Sequence, residues 1–247
     1  MTSPHHDQAD ELRILHWNIH SWRDDADAAN LEAVADLVQA TDPHVVSLVE
    51  VDESWGRPAQ LDEVANRCGY TSIFVPIFEF GKDSPTGGFG NALLSKLPIL
   101  AAQQRQLVWP PKLYDGSEPS EQRCVVFAKF QTANGPVWIG STHLPRSDAD
   151  HRANAAQRLV AMTQELSDQW LLVGDFNMPA ASWLDAHPSL RAYPTPAKPT
   201  YPTKNPEESI DYCVAPQELP VQAEVLLETG SDHLPIFVRC RLKYPVL

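Results

Sequence analysis

The chain of 247 residues has no long apolar run and no segment that divides it into parts. Roughly 18 to 20 consecutive apolar residues are needed to span a bilayer, and no stretch approaches that length. The opening string MTSPHHDQADE lacks the basic start and apolar core of a secretory signal, so residues 1–11 are interpreted as a short polar tail. With 43% apolar residues and no low-complexity linker, residues 12–247 are predicted to form one soluble domain.

Cysteine is scarce, with four residues spread over the chain at positions 68, 124, 213 and 240. This spacing excludes a disulfide scaffold and a zinc site built from closely spaced thiols. The cysteines are interpreted as buried thiols in or beside strands. A reducing, cytoplasmic location fits this usage best.

Basic residues are few relative to acidic ones, at 19 against 32, which gives a formal net charge of −13. Such a surface repels a polyanion at long range and offers no extended track for nucleic acid. The imbalance is uneven, because residues 82–158 hold nine basic and six acidic residues. A local basic surface for a phosphorylated ligand and an ordinary solvated surface are both compatible with this pattern.

The sequence also lacks a P-loop and the strained serine turn of α/β hydrolases. It has instead strand-like runs with helical segments between them, the pattern of an α/β protein. Between Thr71 and Phe130, short β-runs broken by Gly and Pro predict antiparallel pairing. Asn30 is expected to cap the first helix. Other strands are expected near 12–18, 45–49, 170–174, 209–215, 221–227 and 234–242, and other helices near 59–68 and from Ser147 to Leu166.

The most informative string is WLLVGDFNMPA, where a buried-strand pattern ends on Gly174 and is followed by Asp175 and Asn177. α/β proteins commonly place their chemistry at the carboxyl ends of strands. A carboxylate and a carboxamide two residues apart would project to the same side of an extended backbone. This arrangement suits one group that activates a water molecule and a neighbour that binds phosphate oxygen.

Further strings also place oxygen or imidazole ligands beside apolar runs. They are Asn18 in LRILHWNIH, Glu50 in VVSLVEVD, His143 in VWIGSTHLP, Asp211 in SIDYCVAP, and Asp232 with His233 in GSDHLPIFV. In this order, from Leu12 to Leu242, the strings resemble the endonuclease/exonuclease/phosphatase superfamily of metal-dependent phosphoesterases, which includes DNase I-like nucleases, sphingomyelinases and inositol phosphate phosphatases. The resemblance implies an α/β (α+β) fold of the DNase I-like kind. In this four-layer sandwich, helices flank two packed mixed or antiparallel β-sheets, and the site lies at one edge.

The resemblance also implies roles for individual residues. Glu50 is a hard oxygen donor suited to Mg²⁺ or Mn²⁺, and Asn18 and Asp232 are expected beside it. His20 stands where many family nucleases have an acidic residue, and this departure puts a second metal contact in doubt. The predicted metal ligands are Asn18, Glu50 and Asp232; the predicted catalytic residues are His143, Asp175, Asn177, Asp211 and His233; the predicted substrate-binding residues are Asn91, Arg123 and His20.

Other interpretations of the same residues stay open. Glu50 could be a solvated turn acid, and Arg123 could form a surface ion pair. Glu79 is a candidate acid to support His143, and His16 is interpreted as structural. The proline-rich segment, residues 194–206, contains five prolines and is either a rim that faces the substrate or a rigid connector.

The function predicted from these residues is a divalent-metal-dependent phosphoesterase, in which water attacks a phosphomonoester or phosphodiester in line. A small phosphorylated molecule or a phospholipid head group suits the acidic chain. An endo- or exonuclease acting on DNA or RNA is the alternative, and a noncatalytic phosphate-binding module is a hypothesis from another class. The protein is expected to be a monomer.

Overall fold

The computed structural model describes residues 11–53, 59–77, 79–80, 88–107, 120–121, 123–146 and 149–243. Residues 1–10 of the predicted tail lie outside the described residues, and Glu11 already belongs to the first strand. The strands are β1 Glu11–Asn18, β2 Val45–Asp52, β3 Thr71–Ile77, β4 Glu79–Phe80, β5 Phe89–Ser95, β6 Ile99–Gln106, β7 Ser120–Glu121, β8 Cys124–Thr132, β9 Gly135–His143, β10 Gln169–Asp175, β11 Leu190–Tyr193, β12 Asp211–Pro216, β13 Val221–Val225 and β14 Ile236–Arg241. The α-helices are α1 Leu31–Thr41, α2 Gln60–Cys68, α3 Ala149–Gln164 and α4 Ala181–Leu184.

Two six-stranded sheets form the centre of the protein. The first has the order β13-β14-β1-β2-β5-β3, and the second has the order β11-β12-β10-β9-β8-β6. Each sheet has one parallel pair at its middle, β1 with β2 and β9 with β10, and its other pairs are antiparallel. The antiparallel pairing predicted between residues 71 and 130 is confirmed, although those strands divide between the two sheets.

Three apolar clusters show how the layers pack. Ile14, Val126 and Val238 belong to a buried cluster built from both sheets, whereas Leu15 on the opposite face of β1 packs with residues of α1 and α2. A third cluster joins the outer face of the second sheet to α3 and α4. Because successive strand residues point to opposite faces, each sheet can be buried on both sides. The predicted four-layer sandwich is therefore confirmed.

The strand and helix positions predicted from the sequence are largely confirmed, with differences at short elements. The strand β11 was not predicted, since four residues directly before a proline-rich segment carry little periodic signal. Asn30 precedes α1 as predicted, but its side chain makes no cap hydrogen bond. The amide of Asn30 donates instead to the carbonyls of Ile19, Arg23 and Gly230, and so ties together loops from both ends of the chain.

The cysteines are mostly buried thiols, as the sequence analysis interpreted them. All four cysteines are free thiols, and three of them are buried, while Cys68 at the end of α2 is partly exposed. No helix in the described part of the chain is long and apolar enough to cross a membrane. The start of the third helix predicted at Ser147 lies outside the described residues.

Candidate active site

The strand directions bring the predicted site residues to one edge of the sandwich. Asn18, His143 and Asp175 are the last residues of β1, β9 and β10, and Glu50 lies near the end of β2. The strand β12 runs antiparallel to β10, so its first residue, Asp211, starts at the same edge. The carboxyl ends of β1, β2, β9 and β10 thus meet the amino end of β12 at one edge. This is where α/β proteins commonly place their functional site.

Asp175 is the centre of this arrangement. It lies directly opposite His143 on β9 and Asp211 on β12, which places three functional side chains side by side on one face. The preceding Gly174 permits this close strand packing, because a Cβ atom there would lie 2.3 Å from the carbonyl oxygen of Thr142. Close strand packing therefore explains the glycine at position 174, and the chemistry of the site explains the aspartate at position 175.

Asn177 reaches the site through a turn rather than through an extended backbone. Its φ is 51°, in the left-handed region, and its backbone N–H donates to Asp175 Oδ1 at 2.9 Å. The expectation of an extended Asp175–Asn177 pair is wrong in this respect. The Asn177 amide nonetheless points inward, at 3.0 Å from His143 Nε2 and 2.9 Å from the Leu144 carbonyl oxygen.

Asp211 and His233 form a buried dyad. The imidazole Nδ1 of His233 lies 2.8 Å from Asp211 Oδ2, and the opposite nitrogen, Nε2, lies 3.8 Å from Asp175 Oδ2. The side chains of His233 and Asp211 are 7% and 1% exposed. The imidazole is thus fixed at one nitrogen and directed at Asp175 with the other.

The backbone bends at Asp232 and His233, just before β14. The hydroxyl of Ser231 donates to the Asn18 carbonyl oxygen at 2.7 Å, and Trp17 Nε1 donates to the His233 carbonyl oxygen at 2.8 Å. These two contacts attach the segment before β14 to the end of β1. His233 Nε2 consequently faces Asp175 at 3.8 Å, and the Asp232 carboxylate lies 3.8 Å from the His20 ring.

The two carboxyl groups near His233 differ in protonation. Burial raises the pKa of Asp175 to about 7, and the charge of Asp211 adds to this, while His233 opposes it. Burial would also raise the pKa of Asp211, but the charge and the hydrogen bond of His233, together with the nearby His16 ring, hold it well below its usual range. Asp211 is therefore ionised, and Asp175 exchanges its proton near neutral pH.

The two histidines differ in the same way. Burial would lower the pKa of His233, but the charges of Asp211 and Asp175 raise it to about 10. Burial, with the charges of Arg123 and His233, holds the pKa of His143 well below its usual value. At neutral pH the first ring is an imidazolium and the second is a neutral imidazole, so the 3.4 Å approach of His143 Nε2 to Asp175 Oδ2 is not an ion pair.

Glu50 and Asp232 supply partly exposed carboxylates at this edge. Their side chains are 23% and 26% exposed, unlike the buried Asp175 and Asp211. Glu50 sits at an irregularity between β2 and β5 and has a φ of 57°, a strained conformation that turns its side chain toward Asn18.

Asn18 and His20 connect these two acids. Asn18 Nδ2 donates to Glu50 Oε1 at 3.0 Å and to Asp175 Oδ2 at 3.1 Å, and its Oδ1 accepts from the His20 backbone N–H. The His20 ring nitrogen Nδ1 lies 3.8 Å from Asp232 Oδ1. Glu50 and Asp232 each offer carboxylate oxygens of the kind that a hard divalent cation prefers, whereas Asn18 in this orientation holds the Glu50 carboxylate and would have to rotate its amide to ligate.

A second group of potential metal ligands differs from this predicted set. Among the described residues, ligand atoms of Asp175, Asp211 and His233 lie within 4.8 Å of one another. In this group His233 Nδ1 is bonded to Asp211 Oδ2 at 2.8 Å, which leaves Nε2 as its free ring nitrogen toward Asp175. Glu50 and Asp232 are partly exposed carboxylates, and their joint binding of a metal ion stays a prediction.

The arrangement agrees with a family model described as the Endonuclease/Exonuclease/phosphatase family, which matches residues 15–233. This chain belongs to that family. Its members are hydrolases that act on phosphoester bonds, and they typically depend on a divalent metal. Among curated proteins, none matches the chain significantly.

Solved structures of low sequence identity share the fold. An endonuclease/exonuclease/phosphatase from Beutenbergia cavernae has a TM-score of 0.76 and 20% identity, over 96% of this chain and 73% of that one. A mannosyl-6-phosphatase from Bacteroides thetaiotaomicron has a TM-score of 0.71 and 18% identity, over 92% and 98% of the two chains. The human Nocturnin catalytic domain with bound sulfate has a TM-score of 0.71 and 19% identity, over 98% and 100%.

The predicted substrate-binding residues of this family member take different positions. Arg123 is buried beside His143, since its charge lowers the pKa of that ring. Asn91 is buried on β5 and directs its amide at the Cys124 carbonyl oxygen, 3.4 Å away on β8. It thereby joins the two sheets, and its contact with substrate stays a prediction. The side chain of Glu79 lies outside the described residues.

The proline-rich segment borders the site and contributes residues that the sequence did not single out. Thr200 Oγ1 donates to Asp211 Oδ2 at 2.6 Å, and the Tyr201 ring lies 4.7 Å from the His233 ring between centroids. The guanidinium of Arg146 lies 5.4 Å from the centre of the Tyr201 ring. No spacing or motif in the sequence indicated these contacts, because they join positions distant in the chain.

His16 is also closer to the chemistry than predicted. The sequence interpreted it as structural, yet its Nε2 lies 3.6 Å from Asp211 Oδ1. It is fully buried at the centre of β1.

Proposed function

We propose that this protein is a divalent-metal-dependent phosphoesterase that hydrolyses a small phosphate ester by in-line attack of water. The observation that carries the proposal is the geometry of Asp175 and His233, whose facing atoms are 3.8 Å apart with Asp211 bonded behind the imidazole at 2.8 Å. A carboxylate and an imidazolium at this separation can act on one phosphorus centre from two directions.

Asp175 is the general base in this proposal. Its pKa of about 7 leaves a substantial fraction of the carboxylate ionised at neutral pH, able to accept a proton from water. Hydrogen bonds from the Asn18 amide and the Asn177 backbone fix its two oxygens. The carboxylate therefore meets the water in one orientation and pays no reorganisation energy during attack.

His233 stabilises the negative charge that develops on the phosphoryl group. Asp211 keeps the ring protonated and oriented, so that an N–H group at Nε2 points into the site. Asn177 and Arg123 add further donors, and His143, a neutral imidazole, accepts from or donates to the same group. A divalent ion held by Glu50 and Asp232 would neutralise charge on the phosphoryl and leaving oxygens.

The acidic character of the chain supports a compact substrate. The net charge of −13 opposes the approach of a long polyanion. Arg146 is exposed, and its positive charge interacts with the charge of Asp175. This positive charge favours the binding of a small anionic molecule. A mononucleotide-sized ester fits this balance better than a DNA or RNA strand.

The proposal is tested by hydrolysis of bis-p-nitrophenyl phosphate during titration with Mg²⁺ or Mn²⁺. We expect metal-dependent turnover that is abolished in His233→Ala and retained in His187→Ala, a control histidine whose ring packs edge-on against Trp183. Absence of metal-dependent turnover would favour the noncatalytic phosphate-binding module.

Substrate size is tested separately by plasmid nicking and by phosphate release from a panel of small phosphate esters. We expect phosphate release without nicking. Nicking that disappears in Asp175→Asn would instead support the nuclease alternative.

A further inference from the structure

A chain of buried polar side chains leads away from the back of the Asp211–His233 dyad. His16 Nε2 faces Asp211 Oδ1 at 3.6 Å, and His16 Nδ1 lies 2.9 Å from Ser47 Oγ. The Ser47 hydroxyl in turn lies 2.6 Å from Ser141 Oγ. His16, Ser47 and Ser141 are fully buried, and the chemistry described above gives them no role.

The chain crosses from one sheet to the other. His16 and Ser47 belong to β1 and β2 of the first sheet, whereas Ser141 and Asp211 belong to β9 and β12 of the second. Along β1, His16 points to the same side as Ile14, which packs in the cluster between the sheets. The His16 ring therefore lies between the two sheets, where neighbouring side chains such as Ile14 are apolar. It makes polar contacts there with both sheets.

His16 Nε2 and Asp211 Oδ1 face each other, and in the described part of the chain neither atom forms another hydrogen bond. Neither His16 Nε2 nor Asp211 Oδ1 has a hydrogen-bond partner within 3.5 Å. Buried polar atoms without partners are rare because their desolvation is not compensated. A small approach converts the 3.6 Å contact into a hydrogen bond that satisfies both atoms.

The direction of hydrogen bonding along the chain is consistent. Asp211 is ionised and can only accept, so His16 donates from Nε2 in the tautomer that matches this contact. Its Nδ1 then accepts from the Ser47 hydroxyl, which accepts from Ser141. Asp211 Oδ2 thus accepts from His233 and Thr200, while His16 Nε2 faces Oδ1 at 3.6 Å.

We propose that His16 is a positioning residue for the phosphoesterase reaction, because it fixes the Asp211 carboxylate so that Oδ2 points at His233 Nδ1. The inference rests on the proposed function and extends it. The serines anchor the His16 ring to both sheets, so the packing of the sandwich sets the orientation of the imidazolium that meets the phosphoryl group.

The test compares His16→Leu, which removes both nitrogens at similar volume, with His16→Gln, whose amide can place a donor near the position of Nε2. We expect His16→Leu to lower kcat about 10- to 100-fold with little change in KM, and His16→Gln to recover most of the loss. In an Asp211→Asn background, His16→Leu should lower kcat no further. An equal loss in the Leu and Gln variants would overturn the proposal.

His44→Leu is the matched control. It removes another ring that forms a hydrogen bond, at 3.1 Å from the Arg13 backbone nitrogen, near the opposite end of β1. We expect unchanged kcat and KM in this variant.

A second readout does not depend on turnover. The proton between His233 Nδ1 and Asp211 should give a downfield NMR resonance, assigned by its loss in His233→Ala. We expect this resonance to move in His16→Leu and to return toward its position in His16→Gln. If wild-type protein hydrolyses no ester, the proposed function fails and this resonance alone decides; an unmoved resonance in folded His16→Leu refutes the positioning role. Should His16→Leu not fold, Ser47→Ala takes its place under the same criteria.

Discussion

At the scale of single residues, the site separates the protonation states of chemically similar groups. Asp175 and Asp211 are adjacent aspartates on paired strands, yet their pKa values shift in opposite directions. The difference arises because Asp211 receives a hydrogen bond and positive charge from His233, while Asp175 is buried beside the charge of Asp211. One carboxylate therefore serves as a fixed counter-ion and the other as a proton acceptor.

The substitution Asp211→Asn tests this separation. The charge of Asp211 is the largest influence that raises the pKa of His233, so its removal should lower that pKa from about 10 toward or below the ordinary histidine value of 6.5. In the wild type, this raised pKa contributes stability that is present below about 6.5 and is lost as pH rises through about 10. NMR titration of the His233 ring measures the shift, and an unchanged pKa in the variant would contradict the assignment.

The substitution Glu50→Gln tests the metal edge. The change keeps volume and removes one ligand charge, so Mg²⁺ affinity should fall by about 10-fold or more while the unfolding temperature changes little. Calorimetric metal titration and thermal unfolding measure the two effects. Glu53→Gln is a suitable control, since Glu53 accepts the Leu61 N–H at the start of α2 rather than facing Asn18. Equal metal binding by Glu50→Gln and the wild type would reject the role.

At the scale of elements, the sequence predicted which strands end at the proposed catalytic residues. It did not predict which other residues hold those side chains in place. The apolar run before Asp175 predicted β10 and its end, because a strand that is buried on both faces is hydrophobic along its whole length. The contacts of Thr200 and His16 with Asp211 depend on how two sheets pack, and packing between distant segments leaves no local pattern. The turn at Asn177 was missed for the same reason, since a left-handed φ at Asn is not fixed by its neighbours.

The proline-rich segment gives the clearest prediction at this scale. Thr200→Val removes the hydroxyl that donates to Asp211 Oδ2 at 2.6 Å and keeps the side-chain shape. We expect kcat to fall about 10-fold with the protein still folded, because Asp211 then has one donor fewer to fix its position.

Thr195→Val is the control in the same segment. Thr195 is exposed, and its hydroxyl bonds the Ala192 carbonyl oxygen at 2.7 Å, apart from the dyad. Steady-state kinetics should show wild-type turnover for this variant. Equal losses in the two variants would mean that the segment acts only as a connector.

At the scale of the whole molecule, the two sheets supply different halves of the site. Asn18 and Glu50 come from the first sheet, whereas His143, Asp175 and Asp211 come from the second. The site therefore exists only when the sheets are packed together, and partial unfolding of either sheet removes it. The predicted monomeric state and cytoplasmic location stay predictions.

We propose that residues 12–247 form one domain, as the sequence predicted, because a continuous apolar cluster joins the two sheets. Denaturant unfolding followed by tryptophan fluorescence and by circular dichroism should then give one transition with coincident midpoints. Two separate transitions would show that the sheets belong to independently folding units.

The most direct measurement is a crystal structure of the protein soaked with Mn²⁺ and inorganic phosphate. The account predicts one Mn²⁺ ion bound by Glu50 and Asp232, with a phosphate oxygen within hydrogen-bonding distance of His233 Nε2 and the phosphorus close to Asp175. Anomalous scattering locates the metal without ambiguity. A Mn²⁺ ion bound instead by Asp175, Asp211 and His233, or a phosphate away from these residues, would contradict the central claim.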